Sequence, residues 1–345
     1  MTTEVNYAAV LDAPYAKLKV ASRPIPIPGP KELVVRNHAV AANPADWKMQ
    51  DFNVLIKEYP AVLGSDSCGV VTAIGSSVTK FEVGDRVTGF AGVIYLQDIN
   101  HGAFQTFTVL KDIATSKIPD SMSFEEGSVF PMAIATSGMA LFVDLEIPLP
   151  TEPVTPPSSG LLVWGASSSI GTATIQIARN LGFKVFATAS PTHHKYLKSL
   201  GAFAVFDYHD SSVVDKIVAS ARDHGVTISL GFDAITEGDT ARQSSEVILS
   251  SGGKGGKLVL ANAWPESDKP QGLQISQTMA YRHGADQAEI GEWLFNDYLA
   301  KSLADGTIVP APEIEVVPGG LGGAQAALDK LKAGVSGRKL VVKVE

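Results

Sequence analysis

The feature that most constrains the fold of this chain is the stretch LVWGASSSIG, residues 162–171. Apolar residues lead into a short loop of glycine and serine, and the following TATIQIARNLG has the apolar spacing that predicts a helix. A strand, a tight turn and a helix in this order are typical of a dinucleotide-binding turn, in which the helix N-terminus faces a pyrophosphate. The usual Gly-x-Gly-x-x-Gly pattern would begin at Ala166 here, so only its last glycine, Gly171, is present.

The missing glycines do not exclude a phosphate site. Gly171 occupies the third glycine position of the pattern, which packs the helix against the strand. Ala166 and Ser168 occupy the other two positions and are small enough for a close approach of the backbone. We expect the serine hydroxyls to donate to phosphate oxygens beside the backbone amides. The alternative is a serine-rich turn without function, but the strands and helices on both sides favour a nucleotide site. The candidate loop residues are Ser167, Ser168, Ser169, Ile170 and Gly171.

The elements on both sides of this loop predict the fold class. After it, strands at KVFATAS, AVFDY, TISLGFDAI and GGKLVLANA alternate with helices at HHKYLKSLG and SSVVDKIVASARDHG. This alternation predicts an α/β fold with a doubly wound parallel sheet. Before it, short valine-rich runs bounded by proline and glycine predict a small β-barrel.

Further helices are predicted on either side of this region. Ser123 and Glu126 form a capping-box pattern ahead of an apolar-periodic stretch, so a helix is expected to start there. AEIGEWLFNDYLAKSLADG predicts a later amphipathic helix, and AQAALDKLKAGVSGRKLVVKV predicts a helix, a turn and a strand. A length of 345 residues fits two domains. We expect residues 1–127 and 287–345 to form the barrel domain and residues 128–286 the dinucleotide-binding domain.

Charge and composition exclude several classes of function. A net charge of −8 without a long basic cluster argues against a nucleic-acid binder. The N-terminal sequence lacks the pattern of a secretory signal, and the uncharged run from Pro153 to Ala178 is interrupted by prolines and glycine, so no membrane span is expected. A single cysteine, Cys68, excludes an internal disulfide and a cysteine-rich zinc module. We therefore expect a cytoplasmic protein that binds neither nucleic acid nor membrane.

The strand after the loop indicates which nucleotide binds. An NAD site usually has an acidic residue about 20 positions after the loop, which accepts hydrogen bonds from the ribose. No acid occurs between Arg179 and Asp207, and Ser190 takes the acid's place, which favours the 2′-phosphate of NADPH. Ligands of such sheets lie at the carboxyl ends of strands, so Leu260 and Ala261 are candidate contacts as well. Further candidates are the residues that follow Ser190, namely Pro191, His193, His194 and Lys195. The alternative is that the histidines only cap a solvated helix.

Two dehydrogenase families share part of this pattern. GASSSIG is locally similar to the short-chain dehydrogenases, but these need a Tyr-x-x-x-Lys pair, and Tyr298 and Lys301 are one residue too close. Along nearly its whole length the chain resembles the zinc-independent medium-chain reductases of the quinone-oxidoreductase branch, above all the trans-acting enoyl reductases of polyketide pathways. The motifs that carry this resemblance are NPADWKMQD (43–51), VLGSDSCGVVTAIGSSVTKFEVGDRVTGF (62–90), GAFQTF (102–107), the 161–171 loop, TASPTHHKYLKSLGA, FDY (206–208) and VSGRKLVV (335–342).

The resemblance implies a GroES-like catalytic barrel, a Rossmann domain inserted into it, and two catalytic residues. In the enoyl reductase relatives a lysine of Asn-Pro-x-Asp-Trp-Lys and a threonine on a facing helix occupy the reaction cleft, and they match Lys48 and Thr136. Lys48 would hydrogen-bond the nicotinamide ribose or carboxamide, or donate to a developing oxyanion. Thr136 would donate to the carboxamide or to the substrate carbonyl. The alternatives are a surface lysine and a threonine bonded to its own helical turn.

The resemblance also implies further cofactor contacts. Asn43 matches an asparagine near the nicotinamide, although an Asn-Pro turn would explain the same residue. Tyr208 matches a tyrosine that flanks the adenosine phosphate. Val335 and Ser336 match the turn that closes over the cofactor.

A catalytic metal is not expected. The zinc-dependent relatives hold their ion with a thiolate, a histidine and a further thiolate or carboxylate. Their Gly-His-Glu motif corresponds to Gly64-Ser65-Asp66 here, so the histidine is missing, and Cys68 alone supplies neither a catalytic nor a structural site. We expect Cys68 to be a buried small apolar residue.

These observations together predict a metal-free, NADPH-dependent reductase. The expected acceptor is an activated double bond, as in an enone or enoyl thioester, or a quinone. Carbonyl reduction of an aldehyde or ketone is the alternative reaction, and an NADPH-binding protein with little turnover is the alternative outside catalysis. The expected partner is a small molecule, including an acyl chain on a carrier, and the protein is expected to be a monomer or a homodimer.

Overall fold

The computed structural model of this protein describes residues 4–150 and 159–344. They form two compact units, one containing the described residues up to Ala135 and from Tyr281 onward, the other running from Thr136 to Ala280. Residues 128–135 and 281–286, which the sequence assigned to the dinucleotide-binding domain, belong to the first unit. The physical reason is local: Met132 N–H donates to Asp66 Oδ1 at 2.6 Å, and the buried His283 ring lies edge-on to Phe90, 4.5 Å between centroids. The start of the uncharged run, 153–158, lies outside the described residues.

The strands divide into a β-rich set and an α/β set, as expected. In chain order they are β1 (Asn6–Leu11), β2 (Lys19–Arg23), β3 (Glu32–Ala41), β4 (Ala61–Val62), β5 (Asp66–Ile74), β6 (Arg86–Phe90), β7 (Phe107–Lys111), β8 (Thr115–Lys117), β9 (Ser159–Trp164), β10 (Lys184–Thr188), β11 (Ala204–Phe206), β12 (Thr227–Asp233), β13 (Lys257–Leu260), β14 (Gln274–Gln277), β15 (Glu313–Val317) and β16 (Arg338–Lys343).

The helices lie between these strands. The α-helices are α1 (Pro44–Phe52), α2 (Val93–Leu96), α3 (Phe124–Gly127), α4 (Pro131–Gly138), α5 (Ser169–Asn180), α6 (His194–Ser199), α7 (Val213–Asp223), α8 (Thr240–Ser250), α9 (Ala288–Glu292), α10 (Ala300–Ala304) and α11 (Ala324–Ala333). The π-helical stretches are Met139–Asp144 and Trp293–Leu299. Short 3-10 turns are Ile99–His101, Asp112–Ala114, Pro191–His193, Glu266–Asp268, Ala280–Gly284 and Gly320–Gly323.

The first unit is built on β-sheets. A seven-stranded sheet has the order β15-β16-β3-β5-β6-β8, with β7 also paired to β3, and a three-stranded sheet has the order β2-β1-β4. Apart from the parallel pair β15–β16, the ladders are antiparallel. The register of β3 against β5 places Ala41 opposite Asp66. The strand end that leads into α1 therefore lies beside the start of β5.

The second unit is a six-stranded parallel sheet in the order β11-β10-β9-β12-β13-β14. This is the strand order 3-2-1-4-5-6 of a doubly wound nucleotide-binding domain. The strand order reverses between β9 and β12, which is where such sheets bind ligands. Leu162, Phe186, Phe232 and Leu258 are fully buried, as expected for strands covered on both faces. The predicted α/β fold class is thereby confirmed.

The helix predicted from Ser123 is interrupted. Its capping box is confirmed, because Ser123 N–H donates to Glu126 Oε2 at 2.8 Å and Glu126 N–H donates to Ser123 Oγ at 3.2 Å. The helix nevertheless ends at Gly127 and a second one begins at Pro131, since proline lacks the N–H that a continuous helix requires. The whole run Phe124–Asp144 is long and apolar enough to cross a membrane, but 89% of its most apolar part is buried within the protein, which accounts for its hydropathy.

Candidate active and cofactor site

The turn after β9 is made by a glycine that the sequence pattern did not single out. Gly165 has φ of +71°, and a Cβ atom at this position would collide with the side chain of Ile235. Its N–H donates to Thr188 Oγ1 at 3.1 Å, and the next amide, of Ala166, donates to Thr188 O at 2.9 Å. The tight-turn position is therefore Gly165, one residue before the position that we assigned. A glycine directly after an apolar strand was the signal that could have revealed it.

Gly171 and Ser168 determine how the loop meets the start of α5. A Cβ atom at Gly171 would lie 2.6 Å from both Ala166 Cα and Gly165 O, so only glycine allows this approach of helix and loop. Ser168 is the N-cap of α5, and its Oγ accepts from Gly171 N–H at 3.0 Å. The Ser168 hydroxyl oxygen thus stabilises the helix, and only its proton is left to donate to a ligand.

The first turn of α5 has open backbone donors. Within the described part of the chain, the amides of Ser169 and Ile170 donate no hydrogen bond. Ser167, Ser169 and Ile170 are all half-buried, so the loop is accessible. The helix is twelve residues long, and its dipole adds to the partial positive charge of these amides. This arrangement suits an anion such as a pyrophosphate.

The ends of β10 and β11 bring Ser190 and Tyr208 together. Ser190 Oγ lies 3.5 Å from Tyr208 OH, and the two strands are adjacent and parallel. His194 Nε2 lies 3.0 Å from Ala189 O, which fixes the ring beside the strand end. His193 is half-buried, whereas Pro191 and Lys195 are exposed. The candidate residues for the 2′-phosphate therefore gather at one edge of the sheet.

A carboxylate near this edge is already partnered. The backbone N–H of His209 donates to Asp207 Oδ1 at 3.0 Å, and the Nδ1 atom of the same histidine lies 2.8 Å from that oxygen. Both contacts lower the pKa of the half-buried Asp207 carboxyl. The His209 ring also lies 4.0 Å from the Tyr208 ring. His209 was not among the residues predicted from the sequence. It pairs with Asp207, the carboxylate next to Tyr208 in the chain.

The ends of β12 and β13 are hydrogen-bonded to each other. Asp233 is fully buried and accepts from the amides of Ile235 and Thr236 at 3.0 and 2.9 Å, and burial raises the pKa of its carboxyl. Ala261 N–H donates to Asp233 O at 2.9 Å. The Leu260 side chain is buried in the core, so it is unavailable to a ligand, and the half-buried Ala261 presents only its methyl group and carbonyl.

In the first unit, Lys48 lies in the middle of α1. Lys48 is half-buried, and its Nζ lies 5.8 Å from the centre of the Trp47 ring. Asn43, the N-cap of this helix, is only 3% exposed. Asn43 Nδ2 donates to Asp66 Oδ2 at 2.8 Å, and Asn43 Oδ1 accepts from Lys339 Nζ at 2.7 Å. The amide predicted to contact the nicotinamide is therefore bonded within the protein, which agrees with its alternative role at the turn.

Asp46 also lies beneath this helix start. It is fully buried, and its Oδ2 accepts from Asn43 N–H at 2.8 Å. Burial raises the pKa of the Asp46 carboxyl to about 7, against the opposing effect of that hydrogen bond. The spacing of Asn43 and Asp46 is that of a capping box, and this signal was available in the sequence.

Thr136 lies on α4 and is 6% exposed. The residue after it connects this helix to the loop helix: Ser137 Oγ lies 2.9 Å from Thr174 Oγ1 and 3.2 Å from Ile170 O. The second unit thus places the end of α4 against the first turn of α5. Val335 and Ser336 follow α11 and precede β16 in the first unit, the former half-buried and the latter exposed.

The described residues do not form a set of metal ligands. Cys68 is buried as predicted, and burial strongly raises the pKa of its thiol. Asp66 lies 2.7 Å from the ammonium of Lys339, which already balances its charge. Across residues 4–150 and 159–344, no group of three His, Cys, Asp or Glu side chains is placed to share an ion.

Two family models match the sequence. The alcohol dehydrogenase GroES-like domain matches residues 29–120, and the zinc-binding dehydrogenase model matches residues 169–284. A relative with the name trans-enoyl reductase tndF, from Aspergillus flavipes, is 40% identical over 345 residues, which cover 98% of this chain and 98% of the relative.

Two solved structures have the same fold. The alcohol dehydrogenase superfamily protein from Novosphingobium aromaticivorans has a TM-score of 0.81 at 22% identity, over 99% of this chain and 100% of that one. CurK enoyl reductase has a TM-score of 0.79 at 19% identity, over 98% and 99% of the two chains. At these identities the likeness concerns the fold alone.

Proposed function

This chain belongs to the medium-chain dehydrogenase/reductase family, and from that premise we propose that it is an NADPH-dependent reductase of activated carbon–carbon double bonds. The proposed acceptors are enones and enoyl thioesters, either free or bound to a carrier, with quinones as a further class. One observation carries the choice of a double bond: the relative that is 40% identical along almost the entire chain is named a trans-enoyl reductase.

The edge of the second sheet supports a nicotinamide dinucleotide. The open amides of Ser169 and Ile170 would hold the pyrophosphate, because they are the first free donors of a twelve-residue helix. Gly165 and Gly171 fit this role, since side chains at either position would fill the turn. The loop therefore fits the cofactor despite its serines.

The choice of NADPH over NADH rests on the ends of β10 and β11. Ser190 and Tyr208 offer hydroxyl groups, and Lys195 and the neighbouring histidines offer positive or polar nitrogen atoms. The nearby carboxylate of Asp207 is bonded to His209 through Oδ1, which offsets part of its negative charge. A 2′-phosphate would meet donors rather than a free carboxylate.

The described residues do not fit a zinc ion, although one of the matching family models is named for it. The carboxylate in the ligand motif, Asp66, is neutralised by Lys339, and the thiol of Cys68 is buried in its protonated form. We therefore propose that the developing charge is stabilised by side-chain donors.

NADPH supplies the hydride when it is bound. Lys48 would donate a hydrogen bond to the oxyanion that forms on the acceptor carbonyl, and Thr136 would orient the carboxamide or the carbonyl through its hydroxyl. Preorganised donors in a site that excludes water are effective because they need no rearrangement when charge develops. Lys48 lies in the middle of α1 and Thr136 in the last turn of α4, so the position of each side chain depends on how its helix is anchored.

The test is a cofactor and acceptor panel with the purified full chain. NADPH and NADH oxidation are followed at equal concentration with crotonyl-CoA, 2-cyclohexenone, 1,4-benzoquinone and benzaldehyde. We expect turnover with NADPH on at least one of the first two acceptors, and little with benzaldehyde.

Each other outcome selects a different function. Turnover confined to benzaldehyde would establish carbonyl reduction, and tight NADPH binding without turnover on any acceptor would establish a binding protein. A preference of about tenfold for NADH, equivalent to 1.4 kcal/mol, would contradict the assignment of Ser190.

A further inference from the structure

Four polar side chains form a buried cluster beneath α1 in the first unit. They are Asn43, Asp46, Asp66 and Lys339, here called the Asp66 cluster, and none is more than 3% exposed. Protein interiors rarely bury charged side chains unless these are paired and hydrogen-bonded. The family assignment alone does not explain why this cluster is located there.

Asp66 is the centre of the cluster, because both of its carboxylate oxygens are bonded. Oδ2 accepts from Asn43 Nδ2 at 2.8 Å and lies 2.7 Å from Lys339 Nζ. Oδ1 accepts from the backbone N–H of Met132 at 2.6 Å. Lys339 in turn donates to Asn43 Oδ1 at 2.7 Å, which closes a triangle of donors and acceptors.

These bonds anchor the start of α1. Asn43 is the N-cap of that helix, and Asn43 N–H donates to Asp46 in the first turn. With its side chain held by Asp66 and Lys339, the Asn43 backbone has a defined position. Lys48 follows five residues later on the same short helix, so its direction depends on this anchor.

The same carboxylate anchors the start of α4. Pro131 opens that helix and has no N–H, so the Met132 amide is its first backbone donor. Asp66 accepts from it, and a carboxylate at a helix N-terminus is also favoured by the helix dipole. Thr136 follows Met132 by four residues and therefore lies on the same side of the helix, one turn later.

The energetics of buried ion pairs favour a geometric role. Removing two charges from water costs about as much as their mutual attraction returns, so a buried pair is weak evidence for stability. What such a network supplies is a single arrangement of donors and acceptors. Here that arrangement connects the starts of the two helices that carry the proposed catalytic side chains.

We propose that Asp66 is a positioning residue for the reduction, which sets the places of Lys48 and Thr136 by holding the starts of α1 and α4, with Lys339 as its counter-ion. This inference rests on the proposed function. It assigns no contact with substrate or cofactor to Asp66.

The first variant is Asp66→Asn. Whichever way the new amide turns, its NH2 group faces a donor, either the Met132 N–H or the pair Asn43 Nδ2 and Lys339 Nζ. Because a displacement of 1 Å in a reacting group costs about 100-fold, we expect the rate with NADPH and crotonyl-CoA to fall between about tenfold and 100-fold. The rate is expressed per NADPH-binding site, measured by fluorescence titration, which removes any loss of folded protein.

The second variant exchanges the two partners, Asn43→Asp with Asp66→Asn. The carboxylate introduced at position 43 accepts from Lys339 and from the amide introduced at position 66, whose oxygen accepts from Met132 N–H. Net charge, N-cap chemistry, the bond from Lys339 to position 43 and the bond from Met132 N–H to position 66 are retained, and one contact, that of Lys339 with position 66, is lost. We expect turnover per site within about tenfold of the wild type and clearly above the single variant.

The control is Thr108→Val. Thr108 is fully buried in the same unit, and its hydroxyl bonds to Asn37 and Gly102, neither of which belongs to α1 or α4. The variant loses buried hydrogen bonds and stability, as the Asp66 variant does, but should keep wild-type turnover per site. A melting temperature for each protein completes the comparison.

The outcomes separate the two proposals. If the wild type reduces no acceptor, the proposed function fails and the positioning role fails with it. If the wild type is active and Asp66→Asn turns over equally fast per site, only the positioning role is overturned. If Asp66→Asn does not fold, the exchange variant decides: turnover within about tenfold of the wild type supports the role, and a larger loss in a folded protein overturns it.

Discussion

The starts of two helices, α5 in the second unit and α1 in the first, differ in what bonds to their first backbone groups. The first backbone amides of any helix lack partners within the helix. At α5, Ser168 caps one amide and those of Ser169 and Ile170 are left open. At α1, Pro44 lacks an amide proton and the cap residue Asn43 is held by the buried Asp66 and Lys339.

This difference separates the proposed cofactor site from a structural support. An open helix start in an accessible loop has donors to offer an anion, whereas a helix start whose cap residue is bonded to buried side chains is held in place. Accordingly, changes around α5 should act on cofactor binding, and changes around α1 should act on turnover or stability.

The largest expected effect is that of Lys48→Ala. Loss of a single oxyanion donor costs about 10² to 10³ in rate, so turnover with NADPH should fall by that factor. The dissociation constant for NADPH should change by less than about threefold, since the proposed pyrophosphate site lies at the start of α5. Steady-state rates and fluorescence titration measure the two quantities. Lys31→Ala, an exposed lysine of the same unit, is the matched control and should leave both unchanged. Weak NADPH binding in Lys48→Ala would remove the distinction between the two helix starts.

Gly171→Ala should have the converse effect. Its methyl group would lie 2.6 Å from Ala166 Cα and Gly165 O, so the loop must move away from the helix. At an overpacking cost of up to about 3 kcal/mol, NADPH binding should weaken by up to about 100-fold. Gly322→Ala is the control, because a Cβ atom there meets nothing within 4 Å. Equal NADPH affinities in the two variants would show that the loop does not hold the cofactor.

Asp46→Asn should change how stability depends on pH. Burial raises the pKa of Asp46 from 3.8 to about 7, so the folded state binds more protons than the unfolded state between these values. The contribution of Asp46 is thus fully present below the lower value and is lost as pH rises through the higher one. Between about pH 5 and 6.5 the wild type should lose about 2 kcal/mol relative to the variant, at 1.36 kcal/mol per pH unit.

Urea unfolding at several pH values measures this difference. The amide of the variant still offers an oxygen to Asn43 N–H, so the helix start is retained. Asp12→Asn, at an exposed carboxylate of the same unit, should follow the wild-type profile. Parallel profiles for Asp46→Asn and the wild type would mean that the buried carboxyl does not titrate in this range.

The smallest expected effect is that of Ser190→Asp on cofactor choice. A carboxylate 3.5 Å or so from Tyr208 OH would repel a 2′-phosphate and accept hydrogen bonds from a ribose. The ratio of kcat/KM for NADPH to that for NADH should fall by about tenfold, which corresponds to 1.4 kcal/mol. Ser199→Asp introduces the same charge at the far end of α6 and should leave the ratio unchanged. An unaltered ratio in Ser190→Asp would place the 2′-phosphate elsewhere.

Much of the fold could be predicted because its signals are local. The strand, loop and helix around residues 161–181 follow from apolar periodicity and from small residues at the turn, and the capping box at Ser123 follows from spacing alone. The sequence was less informative where two signals competed. At Pro131 an apolar-periodic pattern continued through a residue that cannot continue a helix, and the helix ended at Gly127.

The candidate site divides in the same way. The amino-acid sequence by itself determined the residue types: small residues and serines at a helix start, no acid after β10, and a single cysteine. Only the tertiary structure decided the partners. In the structure Gly165 forms the turn and Ser168 Oγ caps α5. Asp207 pairs with His209, and Asn43 is bonded to Asp66 and Lys339. Asn43 and Lys339 are 296 positions apart in the chain, and no local pattern specifies such a contact, because hydrogen-bond partners are set by the packing of strands distant in sequence.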